Sequence, residues 1–133
     1  MTWEEEFRKI TEVAHLHGVD PFFICAIRKQ ENGRAGREFG VLDGKSNTYD
    51  QQLETCVKTI RNYECDFAGP MKVREQTSLG FRRACYSPAF IAFAQRRYCP
   101  VGAANDPTGL NKNWLAGVTR YYARFCAQNS TAT

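Results

Sequence analysis

Residues 21–31 read PFFICAIRKQE, and six consecutive residues within this stretch are strictly apolar. The Asp20-Pro21 pair that opens the stretch is typical of a helix N-terminus, because aspartate caps free N–H groups and proline already has a helical φ angle. The Asn32-Gly33 pair that follows it favours a helix end. The stretch therefore predicts a very apolar, buried helix against which the rest of the chain must pack.

Similar signals predict four more helices. Thr2 with Glu5, and Thr48 with Gln51, form capping-box patterns, in which a side chain at each position satisfies a backbone N–H group of the other. The predicted helices run from the Thr2 cap to Gly18, from the Thr48 cap to near Asp66, from Ser87-Pro88 to Cys99-Pro100, and onward from Asn111. Each carries apolar residues at helical spacing.

The connecting segments are less regular. Residues 33–47 hold four glycines and predict a functional loop, in which residues 39–42 are a candidate for a short strand. Residues 71–86 are ambiguous and fit one short helix with a turn at Gly80, and residues 105–109 predict a turn. The sequence as a whole predicts a single domain over residues 1–133. Its expected fold is compact and all-α, with about five helices and at most a very short β element.

Charge is distributed unevenly along the chain. Residues 1–66 carry 9 Lys/Arg against 12 Asp/Glu, a net charge of −3, whereas residues 67–133 carry 9 against 2, a net charge of +7. A cationic half attracts polyanions such as nucleic acid or a bacterial wall, although an ordinary solvated surface explains it equally well. Because no helix-turn-helix or other nucleic-acid reader is recognisable, nucleic acid is not the expected partner.

Six cysteines are present, and their spacing contains no CxxC pair, so structural zinc is not expected. The acidic N-terminus lacks the features of a signal peptide, which predicts synthesis in the cytoplasm and favours free thiols over disulfides. No apolar run approaches the roughly 20 residues of a membrane-spanning helix, so no membrane insertion is expected. We expect a monomer without a metal or a cofactor.

Glu31 is the carboxylate with the clearest chemical potential. It shares a helix face with Ile24 and Ile27, so an acid ends an apolar stripe. Desolvation and the negative end of the helix dipole both disfavour its charged form, which is what a general acid requires. Pairing with Arg28 would have the opposite effect, and the sequence leaves this open. The alternative is an exposed glutamate at a fraying helix end.

Four segments in order carry a family resemblance. They are the helix that ends at Glu31, the glycine-rich loop with Phe39-Gly40-Val41, the stretch YDQQLETCV over residues 49–57, and the run RYCP over residues 97–100. Together they resemble the glucosaminidase-type branch of the lysozyme-like superfamily, over roughly residues 20–125. The spacing from Glu31 to Phe39 is closer to that of lytic transglycosylases, and Cys99 replaces the alanine of the family's YA motif. The bond that is cut and the type of product therefore stay open.

The resemblance implies a lysozyme-like helical fold that cleaves the β-1,4 bond between N-acetylated sugars of peptidoglycan. Glu31 would be the proton donor, Phe39 and Tyr98 would line the cleft, and Gly40 would belong to the substrate-binding residues. On either interpretation, the Phe39 side chain is also expected to pack in the core. The enzyme would act on the bacterial cell wall, as phage-encoded lysis or tail-associated proteins do. The alternative is a non-catalytic lysozyme-like domain that binds the wall or serves as a virion scaffold.

The remaining candidate site residues have competing interpretations. Tyr49 and Tyr98 can stack on a sugar or simply pack in the protein. Arg97 can hold a substrate carboxylate, as can Arg34, Arg37 and Arg96, or these arginines can belong to a solvated face. Hydrolysis by two carboxylates needs a partner for Glu31, for which Asp43 in the loop is the main candidate beside Glu38 and Asp50. Assistance by the substrate's own 2-acetamido group would need no second carboxylate.

Overall fold

Five helices make up most of the chain that the computed structural model describes, namely residues 1–68, 86–99 and 111–129. Within these ranges there is no strand, so the all-α prediction is confirmed. The helices are α1 (Trp3–His17), α2 (Pro21–Glu31), α3 (Tyr49–Ala68), α4 (Pro88–Tyr98) and α5 (Lys112–Asn129). The short helix and turn predicted within residues 71–86 and the turn predicted at residues 105–109 lie, except for Tyr86, outside the described residues.

The helix boundaries follow the predicted caps closely. Thr2 and Glu5 form a complete capping box at α1, and Asp20 accepts a hydrogen bond from the Phe22 N–H at the start of α2. The Ser87 hydroxyl oxygen accepts one from the Phe90 N–H at the start of α4. Such caps satisfy backbone N–H groups that have no partner within the helix. Because these signals are local, the sequence places helix starts reliably.

Helix α2 forms the centre of the molecule, as its apolar sequence predicts. Five of its side chains are completely buried: Phe23, Ile24, Cys25, Ala26 and Ile27. Burying each phenylalanine or isoleucine contributes about 1.5–3 kcal/mol, so this helix is a major source of stability. It packs most extensively on α5 and also contacts α1. None of the described helices is long and apolar enough to cross a membrane.

Residues 39–42 form a turn and an irregular segment instead of the short strand that was a candidate there. The Gln52 side chain on α3 supplies the hydrogen bonds that a neighbouring strand would otherwise make. Its Oε1 accepts from the Val41 N–H at 3.1 Å, and its Nε2 donates to the Val41 carbonyl at 2.9 Å. One amide side chain thus replaces a strand partner, which the local sequence does not reveal.

The cysteines on α2 and α3 behave as apolar core residues. Cys25 and Cys56 are fully buried, and burial raises the pKa of both thiols, that of Cys56 to about 12. In the described part of the chain Cys25, Cys56 and Cys65 form no disulfide. Cys85 lies outside it.

Candidate active site around Glu31

Glu31 is the last residue of α2, and its side chain is half-buried. Burial raises the pKa of its carboxyl group above the ordinary value, and a hydrogen bond from Trp114 partly opposes that rise. Arg28 donates from Nε to Glu6 Oε1 at 2.7 Å. Its charge is therefore paired on α1, and burial dominates at Glu31. The carboxyl group is biased toward the protonated form that a general acid needs.

The loop after α2 returns to the Glu31 carboxyl group at Gly40. Gly40 has a φ angle of +72°, and a Cβ atom at this position would lie 2.3 Å from Glu31 Oε2. That distance is shorter than any tolerated contact, so a side chain here would displace the carboxyl group. The Gly40 N–H donates to the Arg37 carbonyl at 3.1 Å, which closes the turn. The backbone angle favours glycine here, and the absence of a Cβ atom leaves the Glu31 carboxyl group in its place.

Gln52 holds this loop in position from beneath. In addition to its two bonds to Val41, its Oε1 accepts from the Phe39 N–H at 3.2 Å and its Nε2 donates to the Ser46 carbonyl at 2.6 Å. The side chain is completely buried, and all four hydrogen-bonding positions of the amide are used. Gln52 therefore fixes the backbone on both sides of Gly40, a role that sequence reasoning missed.

Two aromatic side chains from the C-terminal helices complete the site. The Trp114 indole N–H, in the first turn of α5, donates to Glu31 Oε1 at 3.1 Å. The Tyr98 ring, at the end of α4, stacks on Trp114 with 5.6 Å between centroids and 29° between planes. The Tyr98 hydroxyl donates to the Phe39 carbonyl. Burial raises the pKa of Tyr98 well above its ordinary value, so this hydroxyl stays a donor.

Close packing of α5 on α2 brings Trp114 to Glu31. Gly117, one turn after Trp114, faces α2, where a Cβ atom would lie 1.7 Å from Gln30 Oε1. The absence of a side chain at Gly117 leaves room for the Gln30 amide between the two helices. Trp114 and Glu31 are 83 residues apart in sequence. The sequence pattern assigned Trp114 to the buried face of the last helix and gave no signal of its contact with Glu31.

Phe39 and Tyr49, two of the predicted substrate-binding residues, support the site from inside. The Phe39 side chain is fully buried, and its ring meets the Tyr49 ring edge-on with centroids 5.6 Å apart. Burial raises the pKa of Tyr49 above its ordinary value, and the nearby Glu6 carboxylate adds to this effect. The Phe39 side chain thus packs in the core instead of lining an open cleft, while its backbone carbonyl accepts a hydrogen bond from Tyr98.

The three other candidate carboxylates accept hydrogen bonds or form ion pairs away from Glu31. Asp43 Oδ1 accepts from the N–H groups of Lys45 and Ser46 at 2.9 and 2.8 Å, and Oδ2 accepts from the Ser46 hydroxyl at 2.9 Å. These bonds hold the pKa of Asp43 below its ordinary value. Glu38 is buried and accepts from the Gly36 N–H at 3.0 Å, and Asp50 pairs with Lys9 at 2.9 Å. Each of these carboxylates has a structural partner.

Arg97 precedes Tyr98 on α4, and its side chain contacts α3 and another residue of α4. Its guanidinium pairs with Asp66 at 2.5 Å, near the end of α3, and lies 4.4 Å from the Phe93 ring centroid. Both charged side chains of the pair are exposed. The structure therefore brings together Glu31, Phe39, Gly40 and Tyr98, and it gives Asp43 and Arg97 other partners.

Comparisons of the chain with protein-family models, with curated proteins and with solved structures return no match. Among the described residues, no three His, Cys, Asp or Glu side chains form a group that could hold a metal ion. The interpretation of the site therefore depends on the chemistry of its own residues. Those residues are one partly buried acid, one indole donor and a glycine turn.

Proposed function

We propose that the protein cleaves the glycan strands of peptidoglycan, at a β-1,4 bond between N-acetylated sugars, with Glu31 as the general acid. The observation that carries this proposal is the environment of Glu31. A partly buried carboxyl group with a raised pKa lies at the end of α2, directly against the glycine turn at Gly40. The all-helical fold and the order of the sequence segments support the resemblance to lysozyme-like enzymes.

The reaction begins with proton transfer from Glu31 to the glycosidic oxygen. The C1–O bond breaks, and its electron pair stays on that oxygen, which leaves as a hydroxyl group. The oxygen of the substrate's 2-acetamido group attacks the electron-poor C1. Water or a sugar hydroxyl then attacks C1, the bond between C1 and the acetamido oxygen breaks and its electron pair restores the acetamido group, and the Glu31 carboxylate takes up the proton released by the attacking hydroxyl. Attack by water gives a reducing end, and attack by the sugar's own hydroxyl gives an anhydro end.

Acetamido assistance suits this site because the loop carboxylates are engaged elsewhere. Both oxygens of Asp43 accept hydrogen bonds within their own turn, and Glu38 bonds to the Gly36 N–H. An inverting hydrolase would instead need a carboxylate about 6.5–9.5 Å from the acid to activate water. We therefore expect the substrate, and not a second carboxylate, to supply the nucleophile.

Mass analysis of fragments released from purified peptidoglycan tests the proposal. We expect the wild type to release fragments from N-acetylated glycan and none from de-acetylated glycan. Asp43→Asn should retain activity within a fewfold, because its loss affects only the turn. If Asp43→Asn is as inactive as a Glu31 variant, Asp43 acts as the base and the acetamido route is wrong. If no wall preparation releases fragments, the proposed glycan-cleaving activity is wrong.

A second candidate function, binding to the wall without catalysis, is favoured by the outer face of α5. This helix carries Lys112, Arg120 and Arg124 and has no acidic residue. The guanidinium groups of Arg120 and Arg124 lie 5.7 and 5.6 Å from the centroid of the Tyr121 ring. Such a face attracts anionic wall polymers. A scaffold predicts binding that weakens as salt increases, without release of any fragment.

A further inference from the structure

The buried Trp114 indole donates a hydrogen bond to one of the two oxygens of the Glu31 carboxyl group. Trp114 is only 3% exposed, and its N–H lies 3.1 Å from Glu31 Oε1. An indole N–H can donate a hydrogen bond and cannot accept one. When Glu31 is protonated, its carbonyl oxygen is a stronger acceptor than its hydroxyl oxygen, so the indole favours Oε1 as the accepting oxygen and the proton on Oε2. The indole thus distinguishes two oxygens that are otherwise chemically equivalent.

The orientation of the indole is itself fixed by two further elements. The Tyr98 ring stacks on Trp114, and the Tyr98 hydroxyl is anchored on the Phe39 carbonyl, next to Gly40. Gln52 in turn fixes the N–H groups of Phe39 and Val41. Helices α3, α4 and α5 therefore all contribute to the position of one hydrogen bond. A side chain held in this way keeps the geometry that catalysis needs.

The second oxygen, Oε2, faces the turn at Gly40. A Cβ atom on Gly40 would lie 2.3 Å from Oε2 and 3.0 Å from Oε1, so the turn lies nearer to Oε2. We propose that Trp114 is the positioning residue for Glu31, which holds Oε1 so that Oε2, on the Gly40 side, carries the proton and delivers it. This inference rests on the proposed glycosidase function, because it names the atom that performs the transfer.

Trp114 also affects the charge that Glu31 acquires after it has donated its proton. A hydrogen bond to a carboxylate is stronger than one to a neutral carboxyl group, so the indole stabilises the ionised product state. Removing the N–H should raise the pKa of Glu31 further, because the bond now opposes the effect of burial. A weaker acid with an unsupported conjugate base should transfer its proton more slowly.

Trp114→Phe tests the inference, because phenylalanine keeps a ring beside Tyr98 and lacks the N–H donor. We expect kcat to fall about tenfold or more with KM within about twofold, and the alkaline limb of the pH profile to move to higher pH. Trp3→Phe is the matched control, since the indole of Trp3 packs on Phe125 and not on Glu31. Equal effects of the two substitutions would overturn the inference.

Two NMR measurements test the inference without an activity assay, and the first of them needs only the wild type. In the wild type, the indole N–H resonance of Trp114 should shift with the titration of Glu31, followed by carbon-13 NMR of its carboxyl group, while that of Trp3 should not. In Trp114→Phe, the Glu31 titration should move to higher pH. If the indole N–H resonance of Trp114 does not shift as Glu31 titrates, Trp114 is not the positioning residue. A wild type that shows this coupling but releases no glycan fragment instead contradicts the proposed function alone.

Discussion

Two carboxyl groups, one at each end of helix α2, lie in contrasting environments. At its C-terminal end, Glu31 accepts a hydrogen bond from an indole and is half-buried beside a turn. At its N-terminal end, Glu64 of α3 accepts one from the Tyr86 hydroxyl and is only 1% exposed. Burial raises the pKa of both groups, that of Glu64 to about 8. A raised pKa therefore marks a buried acid, and access decides whether that acid can meet a substrate.

Glu64 belongs to a network that fixes the start of α2. The Tyr86 hydroxyl accepts from the Asp20 N–H at 3.2 Å and donates to Glu64 Oε1. Asp20 is completely buried, accepts from the Phe22 N–H at 2.9 Å, and accepts from the Tyr122 hydroxyl at 2.5 Å. These bonds connect α2, α3 and α5 with Tyr86, which lies just before the N-cap residue of α4. The N-terminal network therefore holds the helix whose other end presents Glu31.

The largest expected difference between the two glutamates is catalytic. Glu31→Gln should lower the rate of glycan cleavage by about 10²–10⁴-fold, the usual contribution of a positioned proton donor. Glu64→Gln should stay within a fewfold of wild type, because Glu64 is almost completely buried and lies at the other end of α2 from Glu31. Fragment release from peptidoglycan measures both. A Glu31→Gln protein with a near wild-type rate would show that another group is the acid.

For the free energy of unfolding, the larger effect is expected from Glu64 and not from Glu31. The pKa of Glu64 rises from 4.5 to about 8, mainly through burial and with a contribution from Asp20, while the charge of Arg61 opposes the rise. The folded state therefore binds the Glu64 proton more tightly than the unfolded state does. Stability from this group is complete below about pH 4.5 and is lost as the pH rises toward 8, by up to about 5 kcal/mol. Denaturant unfolding at several pH values measures the change.

Glu64→Gln should remove most of this pH dependence, because glutamine stays neutral and its oxygen can still accept from Tyr86. Glu12→Gln, at an exposed position on α1, is the matched control and should leave the dependence unchanged. Should Glu64→Gln keep the wild-type loss of stability between pH 4.5 and 8, the loss would have to come from another group.

Features encoded by neighbouring residues could be predicted from the sequence. The caps at Thr2, Asp20 and Ser87 depend on residues two to three positions away, and the structure confirms all three. Glu31 was identifiable because helical spacing places it at the end of an apolar stripe. The short strand considered for residues 39–42 does not form, and the local sequence could not show this, because the Gln52 amide takes the place of a neighbouring strand.

Contacts between distant segments could not be predicted in this way. Trp114 reaches Glu31 across 83 residues, and Tyr86 reaches Asp20 across 66. Neither aromatic residue differs in its local pattern from one that simply packs in the core. Arg28 illustrates the same limit, because its position in the helix allowed a pair with Glu31, whereas α1 packing supplies Glu6. The pKa of a buried acid depends on such contacts, so its value follows from the fold.

The smallest expected effect separates steric contact at Glu31 from backbone strain in its loop. Gly40 and Gly44 have nearly equal φ angles, +72° and +73°, so alanine at either position should cost a similar 1–2 kcal/mol, roughly, in the left-handed conformation. They differ in their surroundings. A Cβ atom at Gly40 would lie 2.3 Å from Glu31 Oε2, whereas one at Gly44 would meet nothing within 4 Å.

Gly40→Ala should therefore displace the Glu31 carboxyl group and break its bond to Trp114, while Gly44→Ala should leave both in place. We expect about a tenfold to hundredfold loss of glycan cleavage for Gly40→Ala, because small displacements of a catalytic group have costs of this order. Gly44→Ala should stay close to wild type in activity despite a similar loss of unfolding free energy. Equal activities of the two variants would mean that the turn at Gly40 does not set the position of Glu31. The accessible end of α2 would then owe its geometry to Trp114 alone.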